Sequence, residues 1–278
     1  MIKSYMLPSL TILLLTIIIS CNGEKMGKNN IYHDVLKDVP ASAWEDLSTK
    51  KIYFGHRSVG NNIIKGIFDL MTENPKINLN IVETTDLAHF NAGVFAHSKI
   101  GENGIPQSKT DSFMKYMEQG IGNNVNIAFF KFCFADIKAE TAIQEIFSDY
   151  NFVMSKLKAQ FPETTFIHIT VPLQTTKTTL KTWVKKLTRK EFIWEYDHNV
   201  ARNEFNELLR KKYQGKEPVF DLAKIESTLS DGTESSFTRN RKIYNSLFHG
   251  YTHDGGHLNE VGRKKVAKEL LLLLINLD

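Results

Sequence analysis

Cysteine is scarce in this chain. Cys21 and Cys133 are the only two among 278 residues, which excludes a disulfide-stapled scaffold and leaves the fold to rest on packing. Long apolar runs are missing as well: the longest, Leu10 to Ile19, spans roughly ten residues where a membrane-crossing helix needs about 20. Neither charge sign dominates, since 35 Lys and Arg face 31 Asp and Glu for a formal charge of +4. So small an excess does not make the concentrated basic face that nucleic-acid binding calls for. The densest basic group, Lys185, Lys186, Arg189 and Lys190, reads as a solvated helix face. What the chain does have is 42% hydrophobic and 24% charged residues, the balance of one larger globular domain plus a short extra segment.

That extra segment is residues 1–20. Lys3 gives it a positive flank, the apolar stretch follows, and Ile18, Ile19, Ser20 and Cys21 end it. The order aliphatic, small, cysteine resembles a bacterial lipobox, in which the cysteine becomes the lipid-modified first residue of the mature chain. Cys21 is therefore the expected lipidation site, with Cys133 then the only free thiol. Residues 21–30 are polar, with Gly23 and Gly27, and are expected to tether the lipid to a domain over residues 31–278.

Along that domain, β-prone and helical patterns alternate. Strands are expected at Ile52–Phe54, Ile77–Val82, Asn126–Phe134, Thr165–Val171 and Val219–Leu222. Helices are expected after Ser58, at Lys109–Gln119, Ala139–Gln160, Asn199–Tyr213 and Leu258–Leu277. Thr84–Ser108 and Glu226–Phe248 show no clean periodicity and read as loops, and Leu173–Trp194 reads as an excursion over the sheet edge. Asn126–Phe134 is a continuous apolar run suited to a strand buried on both faces. The alternation predicts an α/β fold, a three-layer α/β/α sandwich with a mostly parallel central sheet. Ligands bind such sheets beyond the carboxyl ends of the strands, where Ser58, Asp136 and the loops after Val171 should gather.

Two stretches carry chemistry. In Gly55-His56-Arg57-Ser58-Val59-Gly60 a strand turns into a helix. A serine there sits beside the positive end of the helix dipole, a setting that suits a nucleophile but equally a helix N-cap. Near the carboxyl terminus, Asp254 and His257 lie three apart on a turn loosened by Gly255 and Gly256. One carboxylate can take the imidazole N–H while the other ring nitrogen remains free to draw a proton from a serine hydroxyl. His253 and His257, four apart, also permit a metal reading, which the intervening glycines weaken by disfavouring a regular helix. Cys133 reads as a packed small hydrophobe.

The Gly-His-Arg-Ser-Val-Gly block and the Asp254-Gly-Gly-His257-Leu258-Asn259 block resemble the first and last blocks of the SGNH or GDSL hydrolase superfamily, in element order over roughly Lys51 to Leu274. The resemblance implies a Ser58, His257 and Asp254 triad in a three-layer sandwich. Gly-His-Arg-Ser replaces the usual Gly-Asp-Ser, so the spacing before the serine departs by one residue. The family's oxyanion glycine would fall on Gly101 or Gly104. Its oxyanion asparagine is replaced by Ala135, within Lys131-Phe132-Cys133-Phe134-Ala135-Asp136, leaving Asn61, Asn103 or a backbone N–H to fill the role. Asp136 and His56 are further candidates for lining the pocket or contacting substrate.

The expected function is thus a lipid-anchored serine esterase of the bacterial cell envelope, periplasmic or surface-exposed, needing no metal or organic cofactor. It would act on small acyl esters, acetyl groups on carbohydrate first among them, with Trp183, Trp194 and Tyr196 available to stack on sugar rings. The rivals are a surface carbohydrate-binding lipoprotein whose site has decayed and a metal-assisted hydrolase using His253 and His257. No nucleic-acid partner is expected.

Overall fold

Period-two alternation sorts the apolar side chains of each strand onto two faces of one sheet. Ile52 and Phe54 point to one side and Tyr53 to the other; Ile127 and Phe129 oppose Ala128 and Phe130 in the same way. The computed structural model describes residues 31–176 and 194–277. The expected leader and tether over residues 1–30, Cys21 included, and Trp183 lie outside the described residues.

The chain enters through α1 (Ile31–Asp38) and α2 (Ala41–Thr49), then runs β1 (Lys51–His56), α3 (Ser58–Glu73), β2 (Ile81–Glu83), β3 (Val94–Lys99), α4 (Pro106–Glu118), β4 (Ile127–Phe130), α5 (Ile143–Gln160) and β5 (Thr165–Ile169). Residues 177–193, on which most of the expected excursion and the basic helix face fall, lie outside the described residues; after them come α6 (Trp194–Tyr213), β6 (Val219–Phe220), α7 (Leu222–Ser227), a hairpin of β7 (Ser236–Arg239) and β8 (Lys242–Asn245), and α8 (Glu260–Ile275). The six-stranded sheet has the order β2-β3-β1-β4-β5-β6, and every neighbouring pair in it is parallel. Helices α2, α3, α7 and α8 cover one face and α4, α5 and α6 the other. This is the expected three-layer α/β/α sandwich.

Two stretches expected as loops hold structure. Within Thr84–Ser108 lies β3, a central strand between β2 and β1. Its carboxyl half, Ala96-His97-Ser98, reads as polar, yet His97 and Ser98 are buried. Partners from β1 satisfy them: Tyr53 Oη lies 2.7 Å from Ser98 Oγ and His56 Nε2 lies 3.1 Å from His97 Nδ1. Within Glu226–Phe248 lies the hairpin, turned at Asn240 and Arg241, both with positive φ, and held to α6 by the Arg239–Asp197 ion pair. The expected Ile77–Val82 strand is shorter and later, at β2, because its first residues make no ladder.

Helices α3 and α8 run parallel and close together on one face. A Cβ at Gly66 of α3 would sit 2.3 Å from the Arg263 carbonyl oxygen and 2.9 Å from Ala267 Cβ, so only glycine permits this approach. The register is fixed by the bidentate pair of Arg263 with Asp69, at 2.5 and 3.1 Å, and by Lys264 with Glu73 at 2.6 Å. Gly66→Ala is expected to force the helices apart at a cost of roughly 1–3 kcal/mol, reduced by alanine's better helix propensity. A thermal melt should show a fall of several degrees, and an unchanged melt would mean that the pair tolerates a wider spacing.

Candidate active site

Ser58 is the first residue of α3 and is half-buried, at the carboxyl end of β1. The N-cap is Arg57, in an extended conformation with φ −136° and ψ −161°. No side chain caps this helix, so the capping role open to Ser58 from sequence is not the one it has. Its hydroxyl bonds no described residue. Arg57 turns the other way: Nε donates to the Ile100 carbonyl at 3.0 Å and Nη2 to that of Gly101, strapping the loop after β3 to the turn that carries Ser58.

His56 lies beneath this turn, fully buried. Its Nδ1 is 3.2 Å from the Arg57 carbonyl, which can only accept, so Nδ1 carries the proton and Nε2 accepts from His97 Nδ1 at 3.1 Å. Burial, then the neighbouring His97 and Lys131, push the His56 pKa down to about 3, so the ring stays neutral and holds the turn. It is a structural residue with no surface for substrate.

Asp254 and His257 sit on the loop before α8, with a Thr252–Leu258 bridge closing its neck. Asp254 Oδ1 accepts from the Gly256 N–H at 2.9 Å, the His257 N–H at 2.8 Å and the Thr252 hydroxyl at 3.2 Å. Oδ2 is left for His257 Nδ1, at 2.6 Å. Partial burial works against ionisation of Asp254, but the N–H groups of His257 and Gly256 and the imidazole outweigh it and hold the carboxyl well below the usual carboxylate range. Because the carboxylate can only accept, the His257 proton sits on Nδ1 and Nε2 presents a lone pair. Gly255 makes the turn possible: its φ is +92°, its N–H donates to Thr252 Oγ1 at 3.0 Å and its carbonyl accepts from Thr175 N at 2.9 Å. The ring of Phe134 meets His257 edge to face at 5.5 Å. Buried Arg202 holds the Phe134 carbonyl at 2.9 Å and lies 5.8 Å from that ring.

The two stretches, nearly 200 residues apart, are joined where Asn62 Oδ1 accepts the Leu258 N–H at 3.1 Å. Asn62 follows Ser58 by one helical turn and shares its face, while Leu258 follows His257. With α3 and α8 parallel, this brings Ser58 and His257 to the same edge of the sheet. Neither the Ser58 hydroxyl nor His257 Nε2 bonds a described residue.

The oxyanion candidates fare differently. The Gly101 N–H already donates to Ser112 Oγ at 3.1 Å and the Gly104 N–H to Asp136 Oδ1 at 2.8 Å, so neither is a free donor. Asn61 is exposed on the first turn of α3, its N–H directed at the Arg57 carbonyl. Asp136 is buried and also accepts the Cys133 N–H at 2.6 Å, which makes it a loop staple and not a pocket wall. Asn103 is exposed and accepts from Lys109 Nζ at 3.1 Å. Cys133 is buried, as a packed hydrophobe should be. Among the described residues no group of three or more His, Cys, Asp or Glu is placed to hold a metal ion, and His253 is exposed. Tyr196 is buried against Phe237, an anchor and not a sugar platform.

No family model and no curated protein matches the chain. Solved structures do. Among its structural neighbours are a candidate lipolytic protein of the G-D-S-L family, a candidate GDSL-like lipase and an acetyl esterase. A candidate GDSL-like lipase from Parabacteroides merdae is similar at 11% identity over 82% of this chain and 98% of that one, with a TM-score of 0.49. An acetyl esterase holding an acetate ion is similar at 11% identity over 81% and 96%, TM-score 0.43. A family 3 carbohydrate esterase from Clostridium thermocellum is similar at 12% over 80% and 93%, TM-score 0.39. At these scores the likenesses carry no argument about residues or substrate, which rest on the site itself.

Two residues of the site escape the sequence reading: Asn62 and Phe134 act through neighbours remote in sequence, Leu258 and His257, and only the offset of four between Ser58 and Asn62 draws attention to one of them.

Proposed function

We propose that this chain is a serine esterase of the SGNH type, with Ser58 as nucleophile, His257 as general base and Asp254 as the carboxylate that orients it. The observation that carries this reading is the Asp254–His257 pair, which fixes the ring proton on Nδ1 and leaves Nε2 open at the sheet edge where Ser58 begins a helix. The Ser58 proton passes to Nε2 as Oγ attacks the ester carbonyl carbon. The tetrahedral intermediate collapses with return of that proton to the departing alcohol, leaving an acyl-serine. Water then gives its proton to Nε2, attacks the acyl carbon and releases the carboxylic acid and the serine hydroxyl. These steps use no metal and no organic cofactor.

The substrate class is small acyl esters, acetyl groups on carbohydrate in particular, and the protein is held at the bacterial envelope by lipid on Cys21. The leader and lipobox-like sequence support that placement. Among the described residues no helix is long and apolar enough to cross a membrane.

An aryl phosphonofluoridate and p-nitrophenyl acetate test the reading together. One phosphonyl adduct on the peptide holding Ser58, with acetate released at a rate that chelator treatment leaves unchanged, is the expected result. A protein that takes no adduct and turns over no ester would be a binding protein on the same scaffold, and turnover abolished by chelator would return the metal reading.

A further inference from the structure

In a serine esterase the general base hands its proton to the departing alcohol, so side chains packed against that base meet the alcohol half of the ester while the acyl carbon is held at the serine. Two side chains are packed there, one from the loop after β4 and one from the loop after β5. We propose, resting on the serine-esterase reading above, that Phe134 and Gln174 form the subsite for the alcohol. The alcohol it takes is a hydroxylated ring, with the phenyl group against its C–H bonds and the amide bonded to one of its hydroxyls.

Position is the first ground. The Phe134 ring meets the His257 imidazole edge to face at 5.5 Å. A Cβ on Gly256 would lie 3.0 Å from the Phe134 Cε1 and Cζ atoms and 3.3 Å from Gln174 Nε2. Ring and amide thus converge on the residue that precedes the base, and its lack of a side chain gives them room. Both residues are half-buried, with part of each left to solvent. The segment after β5 is tied to the same turn, since Thr175 N donates to the Gly255 carbonyl at 2.9 Å.

A second ground is how the two residues are held. Arg202 and Asn199, both buried on α6, brace their main chains. Arg202 Nε donates to the Phe134 carbonyl at 2.9 Å and Nη1 to Asn199 Oδ1 at 2.9 Å. The same Oδ1 accepts the Gln174 N–H at 3.1 Å, and Asn199 Nδ2 donates to the Gln174 carbonyl at 2.6 Å. A buried guanidinium is costly; here it sets two loops at one spacing beside His257.

The third ground is the chemistry of the pair. Both main-chain groups of Gln174 are bonded, yet its side-chain amide bonds no described residue. An aromatic ring next to an unpaired amide offers one apolar and one hydrogen-bonding contact, and a sugar ring carries both kinds of surface. A plain alkyl alcohol would use the ring alone and leave the amide without a partner.

Two acetyl esters that differ only in the alcohol, a monoacetylated methyl glucoside and ethyl acetate, separate this subsite from the acyl side when acetate release is titrated. Gln174→Leu keeps the bulk of the side chain and removes the amide. It is expected to lower the ratio of kcat/KM for the sugar ester over ethyl acetate by roughly 3- to 10-fold, the loss of one hydrogen bond. Phe134→Leu should lower the same ratio by a similar factor, roughly 3- to 10-fold. Methyl glucoside itself should inhibit the parent competitively, with an inhibition constant that rises in Gln174→Leu. The Gln174 variant and the inhibition of the parent decide by themselves should Phe134→Leu not fold. An unchanged ratio in Gln174→Leu, or no inhibition of the parent by methyl glucoside, overturns the inference. So does a Phe134→Leu protein that keeps the ratio but shifts its preference from ethyl acetate to ethyl butyrate, since that ring would then line the acyl side. In each of these cases Ser58 still takes the phosphonyl group; a parent in which it does not overturns the esterase reading and the subsite together.

Discussion

Ser58→Ala is expected to reduce ester turnover by roughly four to six orders of magnitude while leaving the melting temperature unchanged or slightly raised. The pairing of those two outcomes is the point. A serine opening a helix is usually a cap, and deleting a capping hydroxyl costs roughly 1 kcal/mol. In this chain the N-cap is Arg57, and the Ser58 hydroxyl bonds no described residue. Its removal therefore breaks no hydrogen bond among the described residues, and alanine is the better helix former by a few tenths of a kcal/mol. Steady-state kinetics on p-nitrophenyl acetate and a calorimetric melt of the same preparation check both halves. A variant with parental turnover would exclude Ser58 as nucleophile, and a drop of several degrees in the melt would restore the capping role.

How legible the protein is from its sequence depends on how far each signal reaches. Patterns that act within a dozen residues are legible: the strand-turn-helix around Ser58, the first half of the buried run Asn126–Phe134, of which only Ile127–Phe130 forms β4, the helix periodicity of α5 and α8, and from these the parallel three-layer sandwich. The strand β3 escaped because His97 and Ser98 look like loop residues until Tyr53 and His56 are placed opposite them. The hairpin of β7 and β8 escaped for a similar reason, its short strands carrying mostly polar residues and resting on α6. The same division runs through the site. Asp254 and His257 are three residues apart, and their pairing was foreseen. His56, beside the serine in sequence, points into the core, and Asp136, at a strand end, staples two loops. Adjacency along the chain identified candidates, but the direction of each side chain depended on partners that only the folded chain brings near.

Asp254→Asn is expected to lower kcat by about 10⁴-fold with the loop still folded. In the parent, Oδ1 takes the two N–H groups of Gly256 and His257, and Oδ2 takes the imidazole proton. An asparagine can repeat the first part of this, with its carbonyl oxygen facing the two N–H groups. Its NH2 then faces His257 Nδ1, and a donor there requires that ring nitrogen to be the acceptor. The proton moves to Nε2, the atom that must receive the serine proton, and general-base catalysis stops although no atom of Ser58 or His257 has changed. Asp254→Ala forms the contrast, because it removes the acceptor for both loop N–H groups and should lower the melting temperature as well as turnover. The carboxyl is held below the usual carboxylate range, so the parent keeps its tautomer throughout the neutral range, and the deficit of the asparagine variant should be present at every pH there. Turnover in Asp254→Asn within tenfold of the parent, on a melt no different from it, would mean that Asp254 only shapes the turn and that His257 needs no partner to act.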